Sequence, residues 1–362
     1  MSNINPLNYI HDRWRRLSPY EAVDPPEKLA EAAGIQENEV IKLNANENPY
    51  GPSPLVLEAL RDLPNVHIYP DPAQVAMRKA IGDYIKVDPH NVVVGNGSDE
   101  IIDLVFRAVL SDGDAIINAV PTFGMYPVTA QICGANTISI PRGSSFEIPV
   151  HEVMACASKA KIIVVVSPNN PTGNLTPLAD IEVLLDSGSL LVLDEAYAEF
   201  SNQTAMGLIN KYPNLIILRT LSKWGGLAGL RVGYGVMNTA LADVLMRGKP
   251  PYNVSRTAEI ALLASLKDHA VLDSRAQVII AERDRLYETL ENLPGVDPLP
   301  SQANFILCHI AEGRAKMVYE GLAQKGIAVR YYSEGRLENY LRISVGTTEQ
   351  TNKLIVALKT LV

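Results

Sequence analysis

Five short apolar runs, each followed directly by a polar turn, constrain the fold of this chain more than any other feature. They lie within residues 91–99, 114–126, 161–174, 189–200 and 214–223. Short runs of this kind, spaced widely enough for a helix between them, are typical of strands in an α/β sheet. The sequence therefore predicts an α/β fold with a mostly parallel central sheet.

Each of these predicted strands delivers polar or aromatic residues where it ends. In open α/β sheets the ligand crevice lies outside the carboxyl ends of the strands, so residues at those positions are expected to meet. The residues expected to converge are Phe123, Asn170, Asp194, Tyr197 and Lys223.

The stretch from Asn214 to Gly235 places a lysine at the end of a buried strand. An apolar run leads through hydroxyl side chains to Lys223, and four glycines lie among the ten residues that follow it. Glycine lets the backbone approach a ligand closely, and hydroxyl and guanidinium groups suit a phosphate. The stretch is interpreted as a ligand site; the alternative is a surface turn after a strand.

Two further positions suggest charged ligands. Four apolar residues precede Asp194, which predicts a buried carboxylate that needs a cationic partner, such as a pyridinium nitrogen. A glycine loop at 95–97 opens a predicted helix, with Ser98 or Asp99 expected as its cap. The start of a helix binds anions through its free N–H groups, although a plain capped helix explains the pattern equally well.

The chain is long enough for two domains. The prediction is an N-terminal arm (1–40), a large domain (41–262) and a small α/β domain (263–362), joined by helical segments over 257–293 that break near Asp268. The last part is predicted to form a compact β-α-β-β-α unit, with strands over 303–310, 327–332 and 340–346, a helix over 312–325 and a final amphipathic helix that ends at Val362. It carries Arg330 and Arg342 on strands between apolar neighbours, where an arginine needs an anion.

Charge and composition exclude several classes of protein. A net charge of −8 and a pI near 5.4 argue against nucleic-acid binding. No apolar run approaches the length of a membrane span, and the N-terminus lacks the apolar core of a signal peptide, so a cytoplasmic location is expected. Cys133, Cys156 and Cys308 are widely spaced, which predicts neither a disulfide framework nor a metal site.

Several motifs together resemble the fold-type-I aminotransferases that depend on pyridoxal 5'-phosphate. They are SPNNPTG at 167–173, DEAY at 194–197, SK at 222–223 with Arg231 eight residues on, and LRISVGT around Arg342. The resemblance extends over nearly the whole chain. It implies a large α/β domain with a mostly parallel sheet, a smaller α/β domain, an N-terminal arm and a homodimer with shared active sites.

The resemblance also assigns roles to individual residues. Lys223 would bind the cofactor covalently and move protons, Asp194 would keep the pyridine nitrogen protonated, and Asn170 and Tyr197 would contact the ring oxygen O3'. Phe123 would stack on the ring. The phosphate would be held by Ser98, Asp99, Thr220, Ser222 and Arg231, with Tyr69 reaching it from a second subunit. Substrate would contact Tyr20, Asn46, Arg330 and Arg342.

Five further motifs, LNANENPYG, YPDP, GNGSDE, PTFGMY and RTLSK, make the resemblance specific to one reaction of this family. They imply transamination between L-histidinol phosphate and 2-oxoglutarate, a step of histidine biosynthesis. The alternatives are an aromatic-amino-acid aminotransferase and a decarboxylase of phosphorylated substrates. A cofactor-binding regulator would need an added DNA-binding domain, and a nicotinamide dehydrogenase would need a glycine-rich fingerprint after its first strand; both are disfavoured.

Overall fold

The computed structural model describes residues 5–17, 22–63, 65–311, 313–333 and 335–362. The candidate substrate residue Tyr20 lies outside the described residues. The strands are β1 (Ile41–Lys42), β2 (Val92–Asn96), β3 (Ala115–Val120), β4 (Asn136–Pro141), β5 (Ile162–Val166), β6 (Leu190–Asp194), β7 (Leu215–Thr220), β8 (Val232–Met237), β9 (Val296–Pro298), β10 (Phe305–Ile310), β11 (Ile327–Ala328), β12 (Arg330–Tyr331) and β13 (Tyr340–Ser344).

Helices connect most of these strands. They are α1 (Asp12–Arg15), α2 (Pro26–Ala33), α3 (Pro54–Arg61), α4 (Val75–Ile85), α5 (Ser98–Val109), α6 (Met125–Ile132), α7 (Val150–Cys156), α8 (Leu178–Leu185), α9 (Thr239–Gly248), α10 (Arg256–Lys267), α11 (His269–Glu291), α12 (Ala315–Gln324) and α13 (Thr348–Leu358). The helical region 257–293 breaks at Asp268, as the sequence predicts, because Asp268 has non-helical backbone angles between α10 and α11.

The central sheet has the strand order β2-β8-β7-β6-β5-β3-β4 within the described residues. Its pairs are parallel except those that β8 makes with β7 and β2. Apolar side chains cover both faces: Leu191 and Leu193 pack in one hydrophobic cluster and Val192, between them, packs in another. A sheet buried on both faces explains why its strands are continuous apolar runs rather than alternating ones.

The C-terminal part forms a second sheet, in the order β12-β13-β10-β9, covered by α12 and α13. Two details differ from the sequence prediction. The short strand β9 adds an edge to this sheet, and the segment predicted as one strand over 327–332 divides into β11 and β12, which belong to different sheets. The divided segment leaves Arg330 at the start of β12, opposite Arg342 on β13.

Two segments join the N-terminal and C-terminal parts. Strand β1 pairs in parallel with β11, and Ile41 and Leu43 pack in the C-terminal hydrophobic cluster. Helix α11 contributes Leu272 to the core under the central sheet and Leu286 to the C-terminal core. The predicted domain boundaries at residues 40 and 262 stay a prediction.

Helix α5 begins differently from the prediction. Gly97, with φ of 81°, is its N-cap, and neither Ser98 nor Asp99 caps the helix by a side chain. The positive φ favours glycine at this position, and the guanidinium of Arg231 lies close against it, since a Cβ atom there would be 2.5 Å from Nη2. The start of α5 is thereby held beside Arg231.

Candidate active site

A cavity of about 620 Å³ lies at the carboxyl ends of β3, β5, β6 and β7. This is the edge at which the sequence predicts convergence. The structure brings together in its lining the predicted residues Asn46, Ser98, Asp99, Phe123, Asn170, Asp194, Tyr197, Thr220, Ser222, Lys223, Arg231, Arg330 and Arg342. Tyr69 is not in the lining.

Lys223 lies between the two parts of the molecule. Its Nζ atom donates to the carbonyl oxygen of Ala45 at 2.9 Å. Burial, with a further contribution from the charge of Arg342, lowers the pKa of Lys223 to about 8. A larger share of this amine is therefore neutral near pH 7 than for an exposed lysine, and a neutral amine is the form that attacks a carbonyl group.

Asp194 ends β6 as a buried carboxylate. Oδ2 accepts a hydrogen bond from the hydroxyl of Tyr126 at 2.5 Å, and Oδ1 accepts one from the backbone N–H of Ala196 at 2.9 Å. Burial raises the pKa of Asp194 to about 6, although the Tyr126 hydrogen bond works in the opposite direction. This acid is therefore mainly ionised at neutral pH, and a cation beside it would be stabilised.

The loop residues 44–46 lie beside Lys223 and are hydrogen-bonded to Tyr197. Nδ2 of Asn46 donates to the hydroxyl of Tyr197 at 3.0 Å, and the ring of Tyr197 packs edge-on against Phe305. Burial raises the pKa of Tyr197 to about 12, so its hydroxyl stays protonated and available as a donor. The amide and the phenol present polar atoms toward the cavity at fixed positions.

Arg231 contacts several polar residues of the cavity near the start of α5. Its Nη2 atom pairs with Oδ2 of Asp99 at 3.0 Å and its Nη1 atom donates to Oγ of Ser222 at 3.3 Å. The hydroxyl of Thr220 donates to the same Ser222 oxygen at 2.9 Å. Together with the start of α5, these donors form a cluster suited to a phosphate group.

The C-terminal part supplies two arginines. Arg342 donates from Nη1 to Oδ1 of Asn170 and from Nη2 to the carbonyl oxygen of Asn44, each at 2.6 Å. Its buried Nε atom has no hydrogen-bond partner among the described residues. Arg330 also lines the cavity, and its guanidinium lies 5.7 Å from the ring centroid of Tyr332.

The family Aminotransferase class I and II matches residues 38–358 of this chain. The chain belongs to this family. It is 44% identical over 358 residues to the histidinol-phosphate aminotransferase of Roseiflexus castenholzii (strain DSM 13941 / HLO8), with 95% of each chain covered. It is 42% identical to the chloroplastic histidinol-phosphate aminotransferase of Nicotiana plumbaginifolia, over 97% of this chain and 86% of that protein.

A crystal structure of histidinol-phosphate aminotransferase from Sinorhizobium meliloti, in complex with pyridoxal-5'-phosphate, has the same fold. It superimposes with a TM-score of 0.87 at 25% identity and covers 100% of this chain and 98% of that one. The predicted α/β aminotransferase fold is confirmed.

Sequence reasoning missed several groups that shape the site of this aminotransferase. Tyr126, the partner of Asp194, lies in the first turn of α6, three residues after Phe123, which precedes the helix, and the two rings meet edge to face at 5.7 Å. An aromatic residue so close in sequence to Phe123 was an available signal. The carbonyl groups of Asn44 and Ala45 carry no signal in their side-chain identity.

Neither a metal site nor a membrane span is found in the part of the chain that the structure describes. No group of three or more His, Cys, Asp or Glu side chains there could hold a metal ion. No described helix is both long and apolar enough to cross a bilayer.

Proposed function

We propose that this aminotransferase transfers an amino group between L-histidinol phosphate and 2-oxoglutarate, giving imidazole acetol phosphate and glutamate in histidine biosynthesis. The observation that supports this proposal most strongly is the 44% identity, over 95% of both chains, to a histidinol-phosphate aminotransferase. The cavity supports the proposal because it offers separate cationic groups, Arg231 beside the start of α5 and Arg330 with Arg342 on the C-terminal sheet.

The cofactor is pyridoxal 5'-phosphate, which supplies an electron-withdrawing ring when bound. The donor set fits it: Asp194 offers an ionised acid for the ring nitrogen, and Lys223 offers an amine of lowered pKa for the aldehyde. The cluster around Arg231 suits the phosphate, and Gly97, at the start of α5, lets the guanidinium of Arg231 lie against the loop there. Phe123 lines the cavity where it could cover a ring face.

Each residue then has a proposed task in the reaction. Lys223, freed when an amine substrate replaces it, carries a proton to and from the reacting carbon. Tyr197 and Asn170 donate to the ring oxygen, and Asp194 stabilises positive charge on the ring nitrogen. Arg342 binds the carboxylate of glutamate, since a guanidinium fork matches a carboxylate.

The function is tested by comparing amino donors. The purified enzyme, incubated with pyridoxal 5'-phosphate, should show visible absorbance that bleaches on adding histidinol phosphate and returns on adding 2-oxoglutarate. Phenylalanine serves as the matched donor without a phosphate. A kcat/KM that is equal or higher for phenylalanine would contradict the assignment and favour an aromatic-amino-acid aminotransferase.

Covalent binding of the cofactor should depend on pH through Lys223. Its pKa is lowered to about 8, so the reactive neutral fraction rises as pH increases and levels off above about 8. Between pH 6 and 7 the rate of attachment should increase about tenfold. Stopped-flow absorbance after mixing cofactor with cofactor-free enzyme measures it. A rate still rising steeply between pH 9 and 10 would show an ordinary lysine instead.

Arg330 should discriminate between the two half-reactions. We expect it to bind the phosphate of histidinol phosphate, because it lines the cavity and lies opposite Arg342 on the neighbouring strand. A charge-assisted hydrogen bond contributes about 1.5–3 kcal/mol, so Arg330→Ala should lower kcat/KM for histidinol phosphate roughly 10- to 150-fold. The half-reaction with glutamate, followed separately by cofactor absorbance, should change far less.

Arg330→Lys is the matched control for that experiment. It keeps a positive charge but loses the planar fork, so it should retain part of the preference for the phosphorylated substrate. Equal losses in both half-reactions of the alanine variant, or no loss in either, would exclude Arg330 as the phosphate-binding residue.

We propose that two copies of the chain form a homodimer through an exposed apolar surface beside the cavity. The surface consists of Val66, Ile68, Tyr69, Val75 and Tyr252, with Tyr69 76% exposed and its ring stacked on Tyr252 at 4.3 Å. The residue after Tyr252, Asn253, donates to Glu100 on α5 at 2.7 Å. The surface therefore adjoins the phosphate-binding end of the cavity, and a second copy seated on it would place its Tyr69 there.

The homodimer is tested with Tyr69→Phe, which removes one hydroxyl and keeps the apolar surface. Loss of a hydrogen bond to phosphate should weaken cofactor binding about 10-fold while leaving the mass in solution unchanged. Light scattering and cofactor titration measure both. A monomeric wild-type enzyme with full activity would contradict the proposed sharing of sites.

A cytoplasmic location stays a prediction.

A further inference from the structure

A buried cluster of charged side chains lies beneath the cavity, and no role in the proposed reaction has yet been given to it. It consists of Arg219, Glu195 and Glu199, whose side chains are 8%, 3% and 8% exposed. Arg219 donates to Oε2 of Glu195 from Nε at 2.9 Å and from Nη2 at 2.7 Å, and to Oε1 of Glu199 from Nη1 at 2.8 Å.

The cluster is attached to the two strands that carry site residues. Glu195 directly follows Asp194 at the end of β6, and Arg219 directly precedes Thr220 at the end of β7. Because successive side chains on a strand point to opposite faces, Arg219 lies on the face away from the cavity that Thr220 lines. The backbone N–H of Glu195 donates to the carbonyl oxygen of Leu218 at 2.9 Å, which continues the pairing of the strands.

Both carboxylate oxygens of Glu195 accept hydrogen bonds. Its carboxylate also accepts hydrogen bonds from the hydroxyl of Thr204 at 2.8 Å and from the backbone N–H of Ala205 at 2.6 Å. The same Thr204 oxygen accepts from Nη2 of Arg219 at 2.9 Å. A buried network with this many bonds to one carboxylate is rigid, because any shift of the strand ends breaks several bonds together.

Stability alone is a weak explanation for such a cluster. Well-packed apolar side chains of similar volume often stabilise a fold as well as a buried ion pair does, since charges are costly to remove from water. The cluster has two acids for one arginine. Glu195 accepts two hydrogen bonds from Arg219, whereas Glu199 accepts one and its Oε2 atom has no hydrogen-bond partner among the described residues. Glu195 and Arg219 therefore form the more closely bonded pair.

We propose that Glu195 and Arg219 are positioning residues for the cofactor. They fix the ends of β6 and β7 relative to one another, so that Asp194 and Thr220 face the cavity at a constant separation. Asp194 is assigned to one end of the cofactor ring and Thr220 to the phosphate, so this separation sets how the cofactor lies. The inference rests on the proposed function.

The test uses variants that keep the size of the side chains. Glu195→Gln removes the negative charge, and Arg219→Lys keeps the positive charge but loses the two-pronged contact. Thr204→Ala is a milder variant, on a loop, that removes one hydroxyl bonded to both residues and guards against a failure of the first two to fold. Leu184→Ala on α8, whose side chain is fully buried away from the cavity, is the control for general loss of stability.

Three quantities are measured for each protein: Tm, the dissociation constant of pyridoxal 5'-phosphate, and the visible circular dichroism of the holoenzyme, which reports the orientation of the cofactor. We expect Glu195→Gln and Arg219→Lys to weaken cofactor binding and kcat each by roughly 10- to 100-fold, because small misplacements at a reacting centre have effects of this size. Thr204→Ala should change both in the same direction by less.

Leu184→Ala should lower Tm at least as much as the cluster variants do. Its dissociation constant for the cofactor and its visible dichroism signal should stay within about twofold of wild type. If the three cluster variants bind cofactor and show dichroism as this control does, the pair is merely structural and the inference is wrong. If the wild-type protein itself shows no visible cofactor band and no transamination, the proposed function fails, which is a distinct result.

Discussion

Lys223→Ala should abolish transamination. The variant loses both the amine that binds the cofactor covalently and the group that carries the proton, so we expect kcat to fall by about 10⁴-fold or more. The fold should persist, because the lost side chain makes one hydrogen bond, to the carbonyl of Ala45, and otherwise lines the cavity. Borohydride reduction followed by mass spectrometry should find cofactor fixed to Lys223 in wild type and to no residue in the variant.

Lys249→Ala is the matched control for the loss of a buried lysine. Lys249 is 6% exposed and donates to the carbonyl groups of Pro250 and Pro251, and it does not line the cavity. This control should keep its activity and its labelling at Lys223. Cofactor covalently fixed to the Lys223→Ala variant, or turnover within tenfold of wild type, would overturn the assignment of the lysine.

Asp194→Asn should keep the cofactor bound but lower kcat by roughly 10²- to 10³-fold, the range seen when one preorganised electrostatic contact is removed. The amide oxygen can still accept the hydrogen bond from the N–H of Ala196, and the amide nitrogen can donate to the hydroxyl of Tyr126 in place of the bond that the carboxylate accepts, so the packing at the end of β6 is preserved. It cannot stabilise a protonated ring nitrogen, because it carries no charge. The pH at which the visible spectrum of the bound cofactor titrates should therefore also change.

Glu259→Gln on α10 is the control for neutralising a buried acid. Glu259 is 4% exposed, its partner is Arg256, and neither lines the cavity. We expect that variant to transaminate at close to the wild-type rate. An Asp194→Asn enzyme as active as this control would remove the role given to the carboxylate.

Five strands of the central sheet, β2, β3, β5, β6 and β7, were predictable because they are buried on both faces. Such strands are continuous apolar runs, and a buried run that leads to Asp194 or Lys223 identifies the edge where ligands bind. The strand β8 is also buried but was not predicted, because Gly233 and Gly235 interrupt its apolar residues. The strands with few apolar residues were harder to predict. β4 carries Asn136 and Thr137 at an exposed edge, and β9 has only three residues, so neither contains enough apolar residues in succession to be recognised.

The site was predictable where side-chain chemistry marks it and unpredictable where backbone groups or tertiary orientation decide. Tyr126 meets Asp194 only because α6 is turned toward the end of β6, and no local pattern fixes that rotation. The carbonyl groups of Asn44 and Ala45 bind Arg342 and Lys223, yet every residue type has such a carbonyl. The proposed position of Tyr69 depends on a second chain.

The pairing of β1 with β11 has a consequence for how this protein is made on the ribosome. The backbone N–H of Asn46 donates to the hydroxyl of Ser344, a contact that spans 298 residues of sequence. A nascent chain that has reached residue 300 contains the whole central sheet and Lys223, but the segment that supplies carbonyls to Lys223 and Arg342 still lacks its partners β11, Arg342 and Ser344. Contacts so distant in sequence form slowly. The cofactor cavity is therefore completed only at the end of synthesis.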